Sequence, residues 1–500
     1  MTTKVVKGSL WSLAGQVLPL GVMLFSTPVV IRFLGAEGYG VLILVALIPG
    51  YLYFADFGMG MASTKFGSEA YAQGDQDKEG RIVRTSALIA FLASVPFGLA
   101  IFIFSASIIE LLNVPGHYQA DAVLALRIAS ITFTVNFLNN IFNTPQLARL
   151  RMDLNTLVTS GFRILGIIAT PIVLYLGGGI VGAVLVLMIV SLLTLAGHMF
   201  ISRRLLPDLF GVTIDRQSIR PLIKFGGALA IAGIAAAMLL NVEKLVLTRV
   251  TSVQILAYYS VAFTFANMAT MFSLAMGQSL VPAFSQLLSP EKKAQLNSLF
   301  SRAMRINIFG LLPVLTVLCV IARPFFTTWA GEDFGRESTW PFYVLLIGLF
   351  FHLNAYIPAG ILFAAGRTDI IAKMYWIELL PYLAATAFLT IRFGAMGAAI
   401  AWSLRVIIEV FIYVRLAKSV VGAQFSLREQ LSGLLIGLLI LSPPIVFTVF
   451  YNEFPAWLVV ALAVCIALYA FMLWKTLIDA DEKVWINRKV EDFLTGFGFT

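Results

Sequence analysis

The chain has 500 residues, of which 59% are hydrophobic and 12% charged, and its formal net charge is +9. A soluble domain carries about 25% charged residues, so this composition excludes an ordinary soluble protein. The apolar residues recur in runs of about 20, the length of α-helix that crosses a bilayer core. The sequence therefore predicts an all-α polytopic membrane protein.

Fourteen membrane spans are predicted along the chain. In order, they cover residues 9–31, 40–61, 85–107, 122–145, 155–177, 180–202, 222–248, 255–280, 304–325, 341–363, 371–391, 397–416, 430–451 and 456–476. The first apolar run is longer than the roughly 7–15 residues of a signal-peptide core, so we expect it to remain as the first helix.

Basic residues are distributed unevenly between the two sides of these spans. With connections on alternating sides, 26 of the 35 lysines and arginines lie in the N-terminus, the tail and the even-numbered loops, five lie in the odd-numbered loops, and four lie within spans. The positive-inside rule then places both termini in the cytoplasm. The basic charge is thus explained by membrane topology, and no nucleic-acid partner is expected.

The sequence offers little for catalysis or for metal binding. Cys319 and Cys465 fall inside apolar runs and the three histidines are widely scattered, so neither a disulfide framework nor a metal site is expected. The loops are too short for a catalytic domain and contain no Walker A sequence. We therefore expect a protein that is not an enzyme, has no catalytic residues and needs no cofactor.

An internal repeat relates the first six spans to the next six. The segment beginning at Lys7 matches the segment beginning at Lys224, 217 residues later, and "RMD" at Arg151 matches "RTD" at Arg367, 216 residues later. Because six is an even number, both halves enter the membrane from the same side. Such a parallel repeat is typical of carriers whose two bundles rock around a central site, although duplication for stability alone would leave the same pattern.

The repeat predicts a domain organisation for the whole chain. It consists of a six-helix bundle at 1–204, a cytoplasmic linker at 205–221, a second six-helix bundle at 222–418, two additional transmembrane helices at 419–478, and a cytoplasmic amphipathic tail at 479–500.

Two short motifs resemble those of the polysaccharide transporters. They are "FLGAEGYGVL" after the first span, and "VEKLVL" followed by "ILAYYSVAF" between Val242 and Phe263, with Ala257 where the family often has glycine. With its doubled six-helix plan and fourteen spans, the whole chain is similar to O-antigen-type flippases of lipid-linked oligosaccharides, in the multidrug/oligosaccharidyl-lipid/polysaccharide exporter superfamily.

The resemblance implies a specific function. A protein of this family would move an undecaprenyl-diphosphate-linked glycan across the bacterial cytoplasmic membrane, with membrane lipids around it and glycan polymerases as candidate partners. An ion-coupled small-molecule or drug antiporter of the same fold is the alternative, and a membrane enzyme that polymerises or ligates glycans is a third hypothesis.

Eight charged residues within the predicted spans form the candidate site. The cations, which could hold the diphosphate, are Arg127, Arg163, Lys244 and Arg405, and the acids, which could couple transport to protons or sodium, are Asp56, Glu243, Glu378 and Glu409. Because one charge in the middle of a membrane helix costs roughly 2.5–3.5 kcal/mol, each is expected to be functional or to be neutralised.

Several of these charges also have a structural explanation. Lys244 and Arg127 lie near the outer ends of their helices, so their cationic groups could snorkel towards water. Arg405 has Glu409 four residues on, so the two could form an ion pair along one helix. Asp56 could be a coupling carboxylate or only an interfacial one.

Arg163 and Glu378 occupy equivalent positions in the two halves, 215 residues apart, with opposite charge. They could approach each other across a central space, or each could pair within its own bundle. In the fourth span, Asn136, Asn140 and Asn143 share a helix face and could line a path for the glycan or bond neighbouring helices.

Overall fold

The computed structural model describes residues 2–211, 213–270, 280–451 and 454–476, and every element of these residues is a helix. In the apolar core of a bilayer, each backbone N–H and C=O group must find a partner within the protein. An α-helix pairs them within its own segment, so the apolar runs fold as helices.

The helices are α1 (Thr2–Gly50), α2 (Met59–Ala72), α3 (Gln76–Leu111), α4 (Gly116–Phe142), α5 (Thr144–Ala148), α6 (Met152–Tyr175), α7 (Gly179–Leu205), α8 (Arg216–Val250), α9 (Val253–Met268), α10 (Lys293–Ala330), α11 (Glu332–Glu337), α12 (Thr339–Ala364), α13 (Thr368–Leu416), α14 (Leu427–Tyr451) and α15 (Ala456–Thr476).

Ten helical segments of the described chain are long and apolar enough to cross a membrane, which confirms the predicted class. One of them, Thr368–Val421, contains two predicted spans, and another, Trp11–Asp56, covers most of the first two. Gly35 (φ 67°) and Gly394 (φ 54°) interrupt the helices there. The helices α8 and α9 lie where the seventh and eighth spans were predicted, so the fourteen spans are compatible with the structure.

The second span was predicted to be continuous over 40–61, and the structure interrupts it. After α1, a short 3₁₀ turn covers Tyr53–Asp56, and the next two residues adopt left-handed backbone angles before α2 begins. The buried Asp56 carboxylate accepts hydrogen bonds from the backbone amides of Gly58 at 2.8 Å and Gly60 at 3.4 Å. These bonds satisfy N–H groups at the start of α2 that have no partner within the helix.

The chain forms two compact units that cut across the sequence repeat. The first contains Met1–Val261 and Ala372–Ala401, and the second contains Ala262–Ile371 and the described residues from Trp402 onward. The first unit thus includes α8, the opening helix of the second half. The predicted domain boundaries at 204, 222 and 418 stay predictions, and the predicted tail at 479–500 lies outside the described residues.

The repeated three-residue motif has the same local geometry in both places where it occurs. Arg151 donates from Nε to Asp153 at 3.0 Å, and Arg367 donates from Nε to Asp369 at 3.2 Å. In each case the arginine immediately precedes a long membrane helix, α6 or α13. This shared geometry supports the duplication inferred from sequence.

Helix α8 begins at Arg216, within the predicted linker (205–221), and Asp215 caps its first turn. The Asp215 carboxylate accepts hydrogen bonds from the Ser218 hydroxyl and, at 3.0 Å, from the backbone amide of Gln217. These bonds, with the Ser218 hydroxyl contributing most, hold the pKa of Asp215 below its usual value. The side chain is therefore ionised at neutral pH, which also suits the positive end of the helix dipole.

A close approach in the first unit packs α8 against the turn that precedes α2. A Cβ atom added at Gly226 would lie 2.1 Å from the carbonyl oxygen of Phe57 and 2.4 Å from the Cε atom of Met59. A Cβ atom added at the next residue, Gly227, would meet nothing within 4 Å. The packing therefore requires glycine at the first position and not at the second.

We predict that Gly226→Ala destabilises the protein by about 1–3 kcal/mol, because the added methyl group forces two backbones apart. The matched Gly227→Ala variant should be neutral or up to about 1 kcal/mol more stable, because alanine favours the helix. Thermal unfolding of the detergent-purified variants measures both. Equal melting temperatures for the two variants would contradict this packing.

Candidate functional site

A cavity of about 690 Å³ lies inside the first unit, among α1, α4, α6 and α7. Helix α6 lines it with Asn155, Thr159, Arg163, Gly166 and Thr170. These five residues are spaced four, four, three and four apart, so they form one stripe along the helix. The cavity therefore follows a stripe of α6 that holds the helix's one arginine and one asparagine, with the apolar Ile167 beside them.

Two further helices contribute polar side chains to the same cavity. Those from α4 and the residue after it are Thr132, Asn136, Asn139, Asn140 and Asn143, and those from α7 are Ser191, Thr194 and His198. Part of the wall is aromatic. The ring centroids of Phe133 and Phe137 lie 4.7 Å apart, and those of Tyr53 and Phe137 lie 6.4 Å apart. The lining thus combines amides and hydroxyls with an aromatic surface.

Arg163 lies in the middle of the membrane helix that carries it. It is eleven residues from the start of the 24-residue α6, or roughly 16 Å along a helix of about 36 Å. Its side chain is exposed in the cavity. Within the described part of the chain its guanidinium makes no hydrogen bond, ion pair or ring contact, and no Asp or Glu lines the cavity. The predicted cation therefore faces the cavity without a protein counter-ion there.

The asparagines of α4 divide between the two roles expected for them. Asn139 donates from Nδ2 to the Ser191 carbonyl oxygen at 3.3 Å, and the Ser191 hydroxyl donates to Asn136 Oδ1 at 2.6 Å. These bonds join α4 to α7. Asn140 and Asn143 also line the cavity, and no hydrogen bond of their side chains to another described residue is found.

A buried histidine near the end of α7, His198, connects neighbouring helices in the cavity wall. His198 Nδ1 lies 3.1 Å from Gln146 Nε2, and its Nε2 lies 3.2 Å from the Thr159 hydroxyl. Because both ring nitrogens have partners, the imidazole is held in one orientation between α6 and the α4–α5 region. It positions Thr159 on the polar stripe of α6.

The acidic–basic pair on α8 lies in a separate buried cluster of the first unit. Glu243 is fully buried and accepts a hydrogen bond at 3.0 Å from the hydroxyl of Tyr382 on α13. Lys244 is 9% exposed and donates at 2.7 Å to the side chain of Asn241. The Tyr51 hydroxyl, just after α1, donates to the backbone carbonyl of Asn241. The cluster therefore joins α8 to α13 and to the end of α1.

Snorkelling of Lys244 towards water was the alternative explanation for this charge. The structure argues against it, because the Lys244 amine bonds to Asn241 on its own helix. Neither Glu243 nor Lys244 lines the cavity around Arg163. Arg127 also lies outside that cavity, where its Nε donates to Ser105 at 3.1 Å and its guanidinium lies 5.4 Å from the Phe102 ring centre. Within the first unit, the structure therefore does not bring Arg127, Arg163 and Lys244 together in one cavity.

The remaining predicted residues lie elsewhere. In the second unit, Arg405 and Glu409 form the expected ion pair along α13 at 3.7 Å, and both side chains are buried. His352 packs there against the rings of Trp402 and Tyr356. Glu378 is buried on α13 in the first unit, and it forms no ion pair with Arg163 in the part of the chain that the structure describes.

Sequence reasoning missed several residues of the two sites. Asn155 and Thr159 precede Arg163 by eight and four residues, so a search for polar residues at helical spacing would have found this stripe. His198 gave no such signal. Tyr51 and Tyr382 reach the α8 cluster from other helices, and such contacts depend on packing that a sequence pattern does not encode.

Comparison with known proteins places these features in a family. The profile of a family described as "Polysaccharide biosynthesis protein" matches residues 5–288. The chain is 23% identical over 416 residues to a Shigella flexneri protein described as "Putative O-antigen transporter", covering 82% of this chain and 96% of that protein.

Solved structures share the fold at low sequence identity. "Lipid II flippase MurJ, inward closed conformation" aligns with a TM-score of 0.74 at 16% identity, covering 94% of this chain and 100% of that one. An inward-facing multidrug resistance MATE family transporter of the MOP superfamily aligns with a TM-score of 0.68 at 13% identity, covering 83% and 94%. These similarities show a shared fold.

Proposed function

Because the chain belongs to the polysaccharide biosynthesis protein family, we propose that it is a flippase for a lipid-linked oligosaccharide, carried on undecaprenyl diphosphate. It is a transporter with the MOP-superfamily fold and not an enzyme. The glycan would cross from the inner to the outer leaflet of the bacterial cytoplasmic membrane, where surface polysaccharide is assembled.

The observation that carries this proposal is Arg163 in a cavity whose lining includes amide and hydroxyl groups. A diphosphate anion and a glycan rich in hydroxyl groups are both costly to place in hydrocarbon. The cavity offers a cation at mid-membrane depth, with amides and hydroxyls from three helices around it. A guanidinium suits phosphate because its planar group donates two parallel hydrogen bonds to phosphate oxygens.

The same lining disfavours the alternative, an antiporter of cationic small molecules or drugs. Such a site needs carboxylates, and the lining residues that the structure describes include none. A cavity whose charged side chain is an arginine repels cations and attracts anions. The charge of the site therefore favours a phosphate-bearing substrate.

Alternating access by the two repeated halves is the transport mechanism that we propose, since a parallel repeat is typical of such carriers. Both termini would lie in the cytoplasm, because 26 of the 35 basic residues fall on that side of the predicted topology. Glycan polymerases remain candidate partners on the grounds of family resemblance.

We propose further that Glu243 couples transport to a proton or to sodium. Asp56 caps α2 and Glu409 is paired with Arg405, so each has a structural role. Glu243 instead contacts a second helix through Tyr382, and the neighbouring Asn241 contacts α1 through Tyr51. Neutralising a carboxylate at this junction would change the interactions between helices and could shift the balance of conformational states.

We predict that Arg163→Ala slows flipping of a polyprenyl-diphosphate-linked glycan in proteoliposomes by roughly tenfold to a hundredfold. The reason is that hydrogen bonds to a charged group contribute about 1.5–3 kcal/mol. Arg163→Lys should keep part of the activity, because it keeps the charge and loses the planar donor geometry.

Arg392→Ala is the matched control for this experiment, because Arg392 lies over the Phe388 ring and outside the cavity. It should flip the substrate as the wild type does. Wild-type flipping by Arg163→Ala would remove Arg163 from the site. A wild-type protein that flips no lipid-linked glycan would contradict the proposed function itself.

Glu243→Gln should abolish the acceleration that an imposed proton or sodium gradient gives to flipping, while membrane abundance stays near that of the wild type. The amide keeps the side-chain volume and an oxygen for the Tyr382 hydroxyl, and it removes the charge. Tyr382→Phe should weaken the response to the gradient without abolishing it, because the carboxylate remains.

The measurement is the ratio of flipping rates with and without each gradient, for the wild type and both variants. An identical ratio in the wild type and in Glu243→Gln would exclude Glu243 as the coupling residue and make Glu378 the next candidate.

A further inference from the structure

Four amide oxygens at the cavity and its edge receive no hydrogen bond from the protein. They are Oδ1 of Asn139, Asn143 and Asn155 and Oε1 of Gln146. Each of these oxygen atoms is buried from solvent and has no hydrogen-bond donor among the described residues. Three of these residues line the cavity, and the fourth bonds to the cavity residue His198. Gln146 is fully buried and Asn139 is 8% exposed.

The four residues belong to one end of the first unit. Asn143 follows α4 immediately, Asn155 lies in the first turn of α6, and Gln146 lies on α5 between them. Native proteins leave few buried carbonyl oxygens without a donor, because each one that remains unbonded is costly. A cluster of four acceptors beside a cavity therefore points to a ligand that supplies donors.

We propose that this end of the cavity is a saccharide subsite, in which the amides of Asn143 and Asn155 turn towards the cavity and accept hydrogen bonds from sugar hydroxyls while Arg163 holds the phosphate. This inference rests on the proposed function and adds the part of the substrate that is recognised. The subsite would take a neutral segment with several free hydroxyl groups.

The distances along α6 suit such a ligand. Asn155 lies eight residues before Arg163, or roughly 12 Å along the helix, so a phosphate at Arg163 and a sugar near Asn155 can belong to one molecule. The volume of about 690 Å³ falls within the roughly 300–1,000 Å³ of small-molecule sites. It therefore suits a short glycan segment next to the diphosphate.

The aromatic wall supplies the second surface that a sugar ring requires. A sugar presents hydroxyl groups at its edge and C–H groups on its faces, and aromatic rings pack well against such apolar faces. Tyr53, Phe133 and Phe137 provide these rings in the same cavity as the unbonded amide oxygens.

A metal cation could also bind amide oxygens, but the charges of the cavity lining disfavour a cation. Hard cations in proteins usually have carboxylate ligands, and none lines the described cavity wall. Arg163, in the same cavity, repels a second cation. Donors that carry no charge, such as hydroxyl groups, fit the site better.

Binding to two lipid probes tests the subsite. One probe is a fluorescent polyprenyl diphosphate that carries a single N-acetylglucosamine, and the other is the same lipid diphosphate without a sugar. Wild-type protein in detergent should bind the sugar-bearing probe more tightly. Asn143→Leu and Asn155→Leu should each weaken its binding by roughly tenfold and change binding of the bare diphosphate by less than about twofold.

Three controls accompany these variants. Arg163→Ala should weaken binding of both probes by the same factor, because the diphosphate is common to them. Asn267→Leu should change neither, since the Asn267 side chain donates to its own helix in α9. Melting temperatures of the two site variants should stay at the wild-type value, because neither side chain makes a described hydrogen bond to another residue.

If leucine prevents folding at either site, Asn143→Ala and Asn155→Ala remove the same oxygens with less bulk. Equal effects on both probes, or no effect on either, would overturn the subsite while leaving the flippase intact. A wild type that binds the sugar-bearing probe no more tightly would also overturn it. Binding that requires sodium would identify a cation site instead. A wild type that binds neither probe would overturn the proposed function, and the subsite with it.

Discussion

A charge in the hydrocarbon core of a bilayer costs a membrane helix roughly 2.5–3.5 kcal/mol, and this cost organises the interior of the protein. Most intramembrane charges in the structure are matched to a partner. Arg405 pairs with Glu409, Glu243 accepts from Tyr382, and Lys244 donates to Asn241. Arg163 differs from them, because it faces a cavity with no counter-ion among the described residues that line it.

This contrast distinguishes polar side chains that stabilise the fold from those that are available to a ligand. The matched charges join helices or lie along a single helix. Around Arg163, by contrast, Asn143 and Asn155 present buried oxygens that have no donor in the described chain. Proteins accept such unsatisfied groups where a ligand completes them, and lose some stability in exchange for function. The cavity in the first unit is therefore the place where the substrate is expected.

The sequence repeat indicates that the two six-helix halves arose by duplication, and their side chains have since diverged. The Arg–Asp motif before α6 and before α13 keeps the same hydrogen bond in both copies. Arg163, by contrast, corresponds to the acidic Glu378 in the second copy. Two halves that share a backbone plan thus differ in charge at this position, and the proposed anion site belongs to the first half alone.

The sequence predicted the all-α membrane class, the repeat and an isolated intramembrane charge at Arg163, because apolar runs, constant offsets and a lone charge are local signals. The role of Arg163 in binding stays a prediction. It did not predict the interruption of the second span, which depends on left-handed residues beside Asp56 and on the contact with Gly226. Nor did it place Tyr382 beside Glu243, since that contact joins residues 139 positions apart and depends on how α8 and α13 are rotated.

Photoaffinity labelling tests most directly whether the substrate occupies this cavity. The probe would be a polyprenyl-diphosphate glycan with a diazirine on its first sugar, cross-linked to the reconstituted protein and located by peptide mass spectrometry. We predict labels on α4 and α6, between residues 132 and 170, that decrease with unlabelled substrate and in Arg163→Ala. Labels confined to the helices of the second unit, and unchanged in that variant, would contradict this account.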